Sequence, residues 1–282
     1  MDLRCSVASD FYMAVSPEET VRDFSRAGFP CMELGLTHAK TLLARSGTPE
    51  ENGAHFAAYA LDYDLTIPQG HLDLDAVLTD QADVDNLKRW LELFYGAGVK
   101  AAVLHATGAD DQPHEKQLEL RSAAIRQLEA HIRGTDMVIC LENLFSKPMI
   151  RIADGILELI EVCGGSEQLG ICLDIGHLHR VRSHGLTEQT ATEFIQKAGS
   201  RLKALHIHDN HGDLDDHLFP FTQNGLDWKE FMQALEASKY QGLFNLEIPA
   251  EAYGVPTPVL PMKLRYARQL CDYLQSDLFI HG

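Results

Sequence analysis

"MVICLENLFSKPMIRIADGILELIEVCGGSEQLGICLDI", residues 137–175, decides the fold. Its ends, "MVICLENL" (137–144) and "LGICLDI" (169–175), are short apolar runs of strand length. Between them "IADGILELIEVCGG" (152–165) repeats apolar residues at helical spacing and stops on glycine. Strand, helix, strand is a βαβ unit, and its two strands run parallel. Side chains alternate across a strand, so each face can be read separately. Glu142 shares a face with Cys140 and Val138, and Asp174 shares one with Cys172 and Gly170. The opposite faces carry Ile139, Leu141, Ile171 and Leu173. Each strand thus has a greasy face for helices and a small-residue face that ends in a carboxylate.

The pattern extends in both directions. Strand-like runs precede it at "LRCSVA" (3–8), "CMELGL" (31–36), "LTIPQGH" (65–71) and "KAAVLHA" (100–106), and follow it at "LKALHIH" (202–208) and "FNLEIP" (244–249). Amphipathic stretches at 16–28, 80–98, 115–134, 187–200, 227–239 and 258–276 fill the gaps, with a less distinct one near 49–63. Strict alternation, eight strands and eight helices, predicts an α/β fold with a parallel sheet covered by helices. Eight units in a chain of 282 residues predict a closed (β/α)8 TIM barrel, one domain spanning residues 1–282. No G-x-G-x-x-G follows the first strand, which weighs against a dinucleotide-binding sheet.

The remaining strands also end in polar groups. His71 closes the third, His105 the fourth, His206 the seventh and Glu247 the eighth. On the seventh, His206 sits with Ala204, opposite Leu205 and Ile207; on the eighth, Glu247 sits with Asn245. These groups are predicted to converge at the C-terminal mouth, where barrels build their active sites. Carboxylates crowded together repel and lose hydration, and a divalent cation resolves both problems. Three carboxylates and one imidazole form a hard, oxygen-rich set suited to Mn²⁺ or Mg²⁺, with Co²⁺ and Zn²⁺ also compatible. "LHIHDNHGDLDDHLFPF" (205–221) concentrates four histidines and four aspartates with no lysine or arginine, as a loop beside such an ion would.

Net charge is −17, with only 24 basic residues. That weighs against nucleic acid and anionic membranes as partners. No apolar run is long enough to span a bilayer, and "MDLRCSVAS" does not read as a leader. The six cysteines show no paired spacing and fall mostly in apolar runs, as core residues in a reducing cytoplasm do. A soluble cytoplasmic protein, with homo-oligomerisation left open, is the expectation.

Taken in order, "CLENL", "CLDIGHLH", "LHIHDN", "DDHLFPF" and "NLEIP" resemble the xylose isomerase-like barrel superfamily of sugar isomerases, epimerases and endonuclease IV. The resemblance spans the whole chain. It implies Glu142, Asp174, His206 and Glu247 as metal ligands and His177 as a substrate contact. It also matches Asp215 and His217 to a pair that helps bind metal in the endonuclease branch. One departure stands out: "PFTQNG" (220–225) puts Phe221 where the family's turn often has glycine.

The expected function is a metal-dependent isomerase or epimerase of a small sugar, cyclitol or other polyhydroxy carbonyl compound. Proton loss would give a metal-stabilised enediolate, with Glu142 and Glu247 as the two proton-transfer carboxylates. His71, His105, His177, Asp215 and His217 are candidate substrate contacts. For His71 and His105 the alternative is a hydrogen bond inside the barrel. His208 and Asp209 read as supports of the metal ligands or as loop residues, and His211, Asp213 and Asp216 as a solvated acidic loop. The rival functions are an inosose dehydratase-like lyase, an endonuclease IV-type repair enzyme and a non-catalytic metal- or sugar-binding barrel. The acidic loops after the last two strands favour a substrate without phosphate, subject to Arg180 and Arg182.

Overall fold

The computed structural model describes residues 1–282. Eight parallel strands appear where the apolar runs place them: β1 (Cys5–Val7), β2 (Cys31–Leu34), β3 (Thr66–His71), β4 (Ala101–Leu104), β5 (Val138–Glu142), β6 (Leu169–Asp174), β7 (Leu202–His206) and β8 (Phe244–Leu246). β2 to β7 pair in chain order, and β1 pairs with β8. Single parallel bridges, Ala8 to Glu33 and Ile207 to Leu246, join the two groups. The ring therefore closes, and no strand edge is left for another chain to pair with.

The surrounding helices are α1 (Pro17–Arg26), α2 (Leu36–Leu43), α3 (Pro49–Leu61), α4 (Gln81–Ala97), α5 (His114–His131), α6 (Ala153–Val162), α7 (Ile175–Ser183), α8 (Ala191–Ala198), α9 (Trp228–Ser238), α10 (Leu260–Leu274) and α11 (Asp277–His281). The expectation of eight helices is corrected by three short ones, α2, α7 and α11. They are too brief for periodicity to register, and α7 begins directly at the end of a strand. Local signals are strong where helices start. Ser16, Thr48 and Thr190 each form a capping box with the glutamate three residues on, at Glu19, Glu51 and Glu193. The faint stretch near 49–63 is a true helix, and α3 packs tightly on α4. A Cβ on Gly53 would lie 2.1 Å from the Leu93 carbonyl oxygen, so only glycine permits that approach.

The two strand faces divide as alternation requires. Ile139, Leu141, Ile171, Leu173 and Leu205 join the large apolar layer between strands and helices. Ala101, Val103, Cys140, Cys172 and Ala204 form a separate small cluster inside the ring. The rest of that interior is polar: Ser6, Glu33, Gln69 and Asn245 are buried and bonded to one another. All six cysteines are free and buried. No helix is long and apolar enough to cross a membrane.

Candidate metal centre

One ligand atom from each of Glu142, Asp174, His206 and Glu247 lies within 4.8 Å of the others. An ion that holds oxygens at about 2.1 Å keeps opposite ligands roughly 4.2 Å apart, so a single cation fits between them with small side-chain adjustments. The unpartnered atoms point the same way. His206 is fully buried, and its Nε2 faces Glu33 Oε1 at 3.0 Å. Its Nδ1 has no hydrogen-bond partner yet lies 3.4 Å from both Glu142 Oε2 and Glu247 Oε2. A buried ring nitrogen left unpaired is costly. One placed between two carboxylates has the position that a metal ligand needs.

Asp174 has two jobs. Its Oδ1 caps α7 by accepting from the His177 amide at 2.6 Å, the structural role that strand-end carboxylates often have. Its two oxygens also lie 3.1 and 3.2 Å from Nε2 of His208, which is buried. His208 thus supports a candidate ligand, one of its two sequence readings. Gly176 makes room for that ring, since a Cβ there would lie 2.1 Å from His208 Cε1.

The charges balance locally. Burial alone would raise the Glu142 carboxyl, but His206 and His105 hold it well below the usual range. Burial opposes charge on His206, yet the carboxylates of Glu247, Glu33 and Glu142 push that imidazole well above its usual value.

The predicted contact residues fall into two groups around this centre. His71 and His105 place their Nε2 atoms 3.3 and 3.1 Å from Glu142 Oε2. His177 and His217 place theirs 3.1 and 3.2 Å from Asp215 Oδ2. His217 also holds the end of β8, its Nδ1 bonding the Glu247 carbonyl at 2.9 Å. Burial opposes its charge, but Asp215 and Glu247 push the His217 imidazole up to about 9. All nine predicted site residues therefore meet at one end of the barrel. His211 and Asp216 pair with each other on the exposed loop at 3.0 Å, as a solvated acidic segment would.

Two features sharpen the sequence reading. Asp209 does not touch the candidate ligands. Its carboxylate is buried and accepts from the amides of Thr222 and Leu226 and from Trp228 Nε1, at 2.9 to 3.0 Å. It clamps the "PFTQNG" loop. In that loop Phe221 has a backbone φ of 74°, in the left-handed region that favours glycine. Its ring is held by Trp228, Tyr273 and Phe279, which offsets a strain of about 1–2 kcal/mol. Phe221→Ala, which keeps the strain and loses the packing, is expected to destabilise the chain. Phe221→Gly should be more stable than the alanine variant by about 1 kcal/mol. Chemical denaturation of both variants checks the order; an alanine variant as stable as the glycine one would remove the strain.

Fold and geometry agree with what the chain resembles. A protein of Sinorhizobium fredii, itself uncharacterized, is 30% identical over 181 residues, covering 61% of this chain and 55% of that protein. One of Methanocaldococcus jannaschii is 27% identical over 164 residues, covering 57% of this chain and 61% of its own length. The matched stretches thus span little more than half of these relatives. Among solved structures, D-psicose 3-epimerase from Clostridium cellulolyticum H10 superposes with a TM-score of 0.77 at 16% identity, covering 97% of this chain and 100% of the other. The 3-keto-D-glucoside 4-epimerase of E. coli superposes with a TM-score of 0.74 at 19% identity, covering 95% and 100%. The sequence pattern of the xylose isomerase-like TIM barrel family matches residues 21–275, and the chain belongs to that family.

Proposed function

We propose that this chain is a divalent-metal-dependent isomerase or epimerase of a small, neutral polyhydroxy carbonyl compound, with Mn²⁺ the best-suited ion. The observation that carries the reading is the convergence of Glu142, Asp174, His206 and Glu247 on one point, with an unpartnered imidazole nitrogen among them. The likeness of the fold to sugar epimerases supports it. A divalent ion bound there supplies Lewis-acid stabilisation of negative charge developing on substrate oxygens. Glu247 is the more accessible of the two glutamates, its side chain 18% exposed against 1% for Glu142. In this reading Glu247 and Glu142 flank the substrate carbon, one taking a proton and the other returning one. His71 and His105 hold Glu142 in place; His71 spends its other ring nitrogen on the Leu72 carbonyl at 2.7 Å, so His105 is the one that offers a ring nitrogen to a substrate hydroxyl. His177, Asp215 and His217 line the other wall.

The basic residues of the nearby loops favour a neutral substrate. Lys147 is paired with Asp110 at 2.8 Å and Lys263 with Glu251 at 2.6 Å. Arg180 stacks 3.6 Å above the Phe145 ring and donates to the Asp213 carbonyl. A phosphate would find each of these cations already engaged. Free buried thiols and net charge of −17 fit a reducing compartment and a partner other than nucleic acid. The test is incubation of the manganese-loaded chain with neutral ketoses and cyclitol ketones, followed by chromatography and mass analysis. An epimer or isomer of unchanged mass that disappears with chelator supports the proposal. Loss of water points to the lyase, and no conversion across the panel contradicts the proposal.

A second reading has an observation of its own. The His177–Asp215–His217 group and the His71–His105–Glu142 group flank the central set, as further ion sites in a phosphodiesterase of the endonuclease IV type would. Elemental analysis separates the two. About one ion per chain fits the epimerase reading; three zinc ions with cleavage of abasic DNA fits the other.

A further inference from the structure

Glu33 was not among the residues singled out by the sequence, yet it lies beneath the candidate metal centre with no solvent exposure. A carboxylate so deep is costly unless it is hydrogen-bonded, and here both oxygens accept, from three donors in all. Oε1 receives His206 Nε2 at 3.0 Å and Gln69 Nε2 at 3.3 Å. Oε2 receives Asn245 Nδ2, and Asn245 Oδ1 in turn accepts from Ser6 Oγ at 2.5 Å. These partners come from β1, β3, β7 and β8, and residue 33 itself makes the bridge that closes β1 onto β2. The carboxylate is thus fixed from several strands at the seam of the ring. It has little freedom to move when His206 does.

We propose that Glu33 is the positioning residue of the centre. It keeps a proton of His206 on Nε2, so that Nδ1 is the nitrogen that binds the divalent ion, which displaces any proton there. The proposal rests on the metal-dependent reading above. A neutral imidazole has one donor and one acceptor nitrogen, and the partner of one decides the role of the other. An anionic acceptor against Nε2 selects the Nε2–H tautomer and makes Nδ1 a stronger electron-pair donor. An apolar group in place of Glu33 would fill the space but leave the ring free to turn or swap its proton. That gives a reason for a charge inside a ring whose interior also holds Val103, Cys140, Cys172 and Ala204.

Two measurements test the proposal. In the first, Mn²⁺ affinity of the full chain is compared with that of Glu33→Gln by calorimetry, alongside the melting temperature of each metal-free protein. The amide still accepts from His206 through Oε1, and Asn245 can turn over to meet its new N–H₂ group. The variant is therefore expected to fold and to bind Mn²⁺ about 10- to 100-fold more weakly, the usual effect of losing a ligand's supporting partner. Wild-type affinity in a folded Glu33→Gln would overturn the proposal. The second measurement needs no Glu33 variant. In long-range ¹H–¹⁵N spectra of the zinc-loaded chain with ¹⁵N-labelled histidine, His206 is assigned by its loss in His206→Gln. It should show a protonated Nε2 and a zinc-shifted Nδ1; a zinc-shifted Nε2 would overturn the proposal even if the glutamine variant proves unstable. A wild-type chain that binds neither Mn²⁺ nor Zn²⁺ would overturn both this proposal and the metal-dependent reading. Tight wild-type binding with no effect of the variant would overturn this one alone.

Discussion

Replacing Glu247 with glutamine is expected to lower ketose turnover by at least ~100-fold while leaving the barrel folded. The substitution conserves shape. The residue's backbone is held independently of the side chain, its N–H donating to the Ile207 carbonyl at 3.0 Å and its C=O accepting from His217. What disappears is the capacity to take up a proton, together with one anionic ligand out of three. Saturating Mn²⁺ separates the two losses, because weakened metal binding is then compensated and the defect in proton transfer is not. The comparison is kcat at saturating metal, with circular dichroism as the control for folding. Turnover near wild type would remove Glu247 from the proton-transfer pair and leave it at most a ligand.

His206→Ala is expected to release the metal, whereas His217→Ala keeps it. His206 offers the unpartnered Nδ1 between two carboxylates, so its loss should cost more than the ~10- to 100-fold typical of a supporting residue. His217 instead spends its nitrogens on the Glu247 carbonyl and on Asp215. Its removal loosens the end of β8 and the loop above it, and should reduce kcat/KM with metal still bound. Equilibrium dialysis of both variants against Mn²⁺ reads the difference directly. If His217→Ala strips the ion as fully as His206→Ala, the loop residue holds metal, and the multi-ion reading gains ground.

The barrel was legible in the sequence because alternation is strict wherever a strand is covered on one side by helices. Ile139 and Leu141 against Cys140 and Glu142 leave only one way to orient β5, and the same holds for β6 and β7. The convergence of the four candidate ligands followed from that parity. Glu33 escaped notice because a lone acid in "CMELGL" has no neighbour to announce it. Its partners lie on strands 36 to 212 residues away along the chain. The signal available was an acid on the inner parity of an apolar run with no nearby lysine or arginine to pair with. Asp209 read either as a support of the metal ligands or as a loop residue, and its partners, Thr222, Leu226 and Trp228, lie across a loop whose course the sequence did not disclose. Phe221 shows the same limit from the other side. A phenylalanine in a glycine position left the turn's conformation open; the backbone there has positive φ, and ring packing on Trp228, Tyr273 and Phe279 holds it.

Proton removal next to a carbonyl by this centre is tested most directly by exchange with solvent. The manganese-loaded chain is incubated with neutral ketoses in D₂O, and recovered sugar is analysed by mass spectrometry after the protein and metal are removed. One deuterium per turnover event is expected at the carbon beside the carbonyl, abolished by chelator and restored by Mn²⁺. Sugars recovered without deuterium from a chain shown to carry its metal would contradict proton removal by this centre.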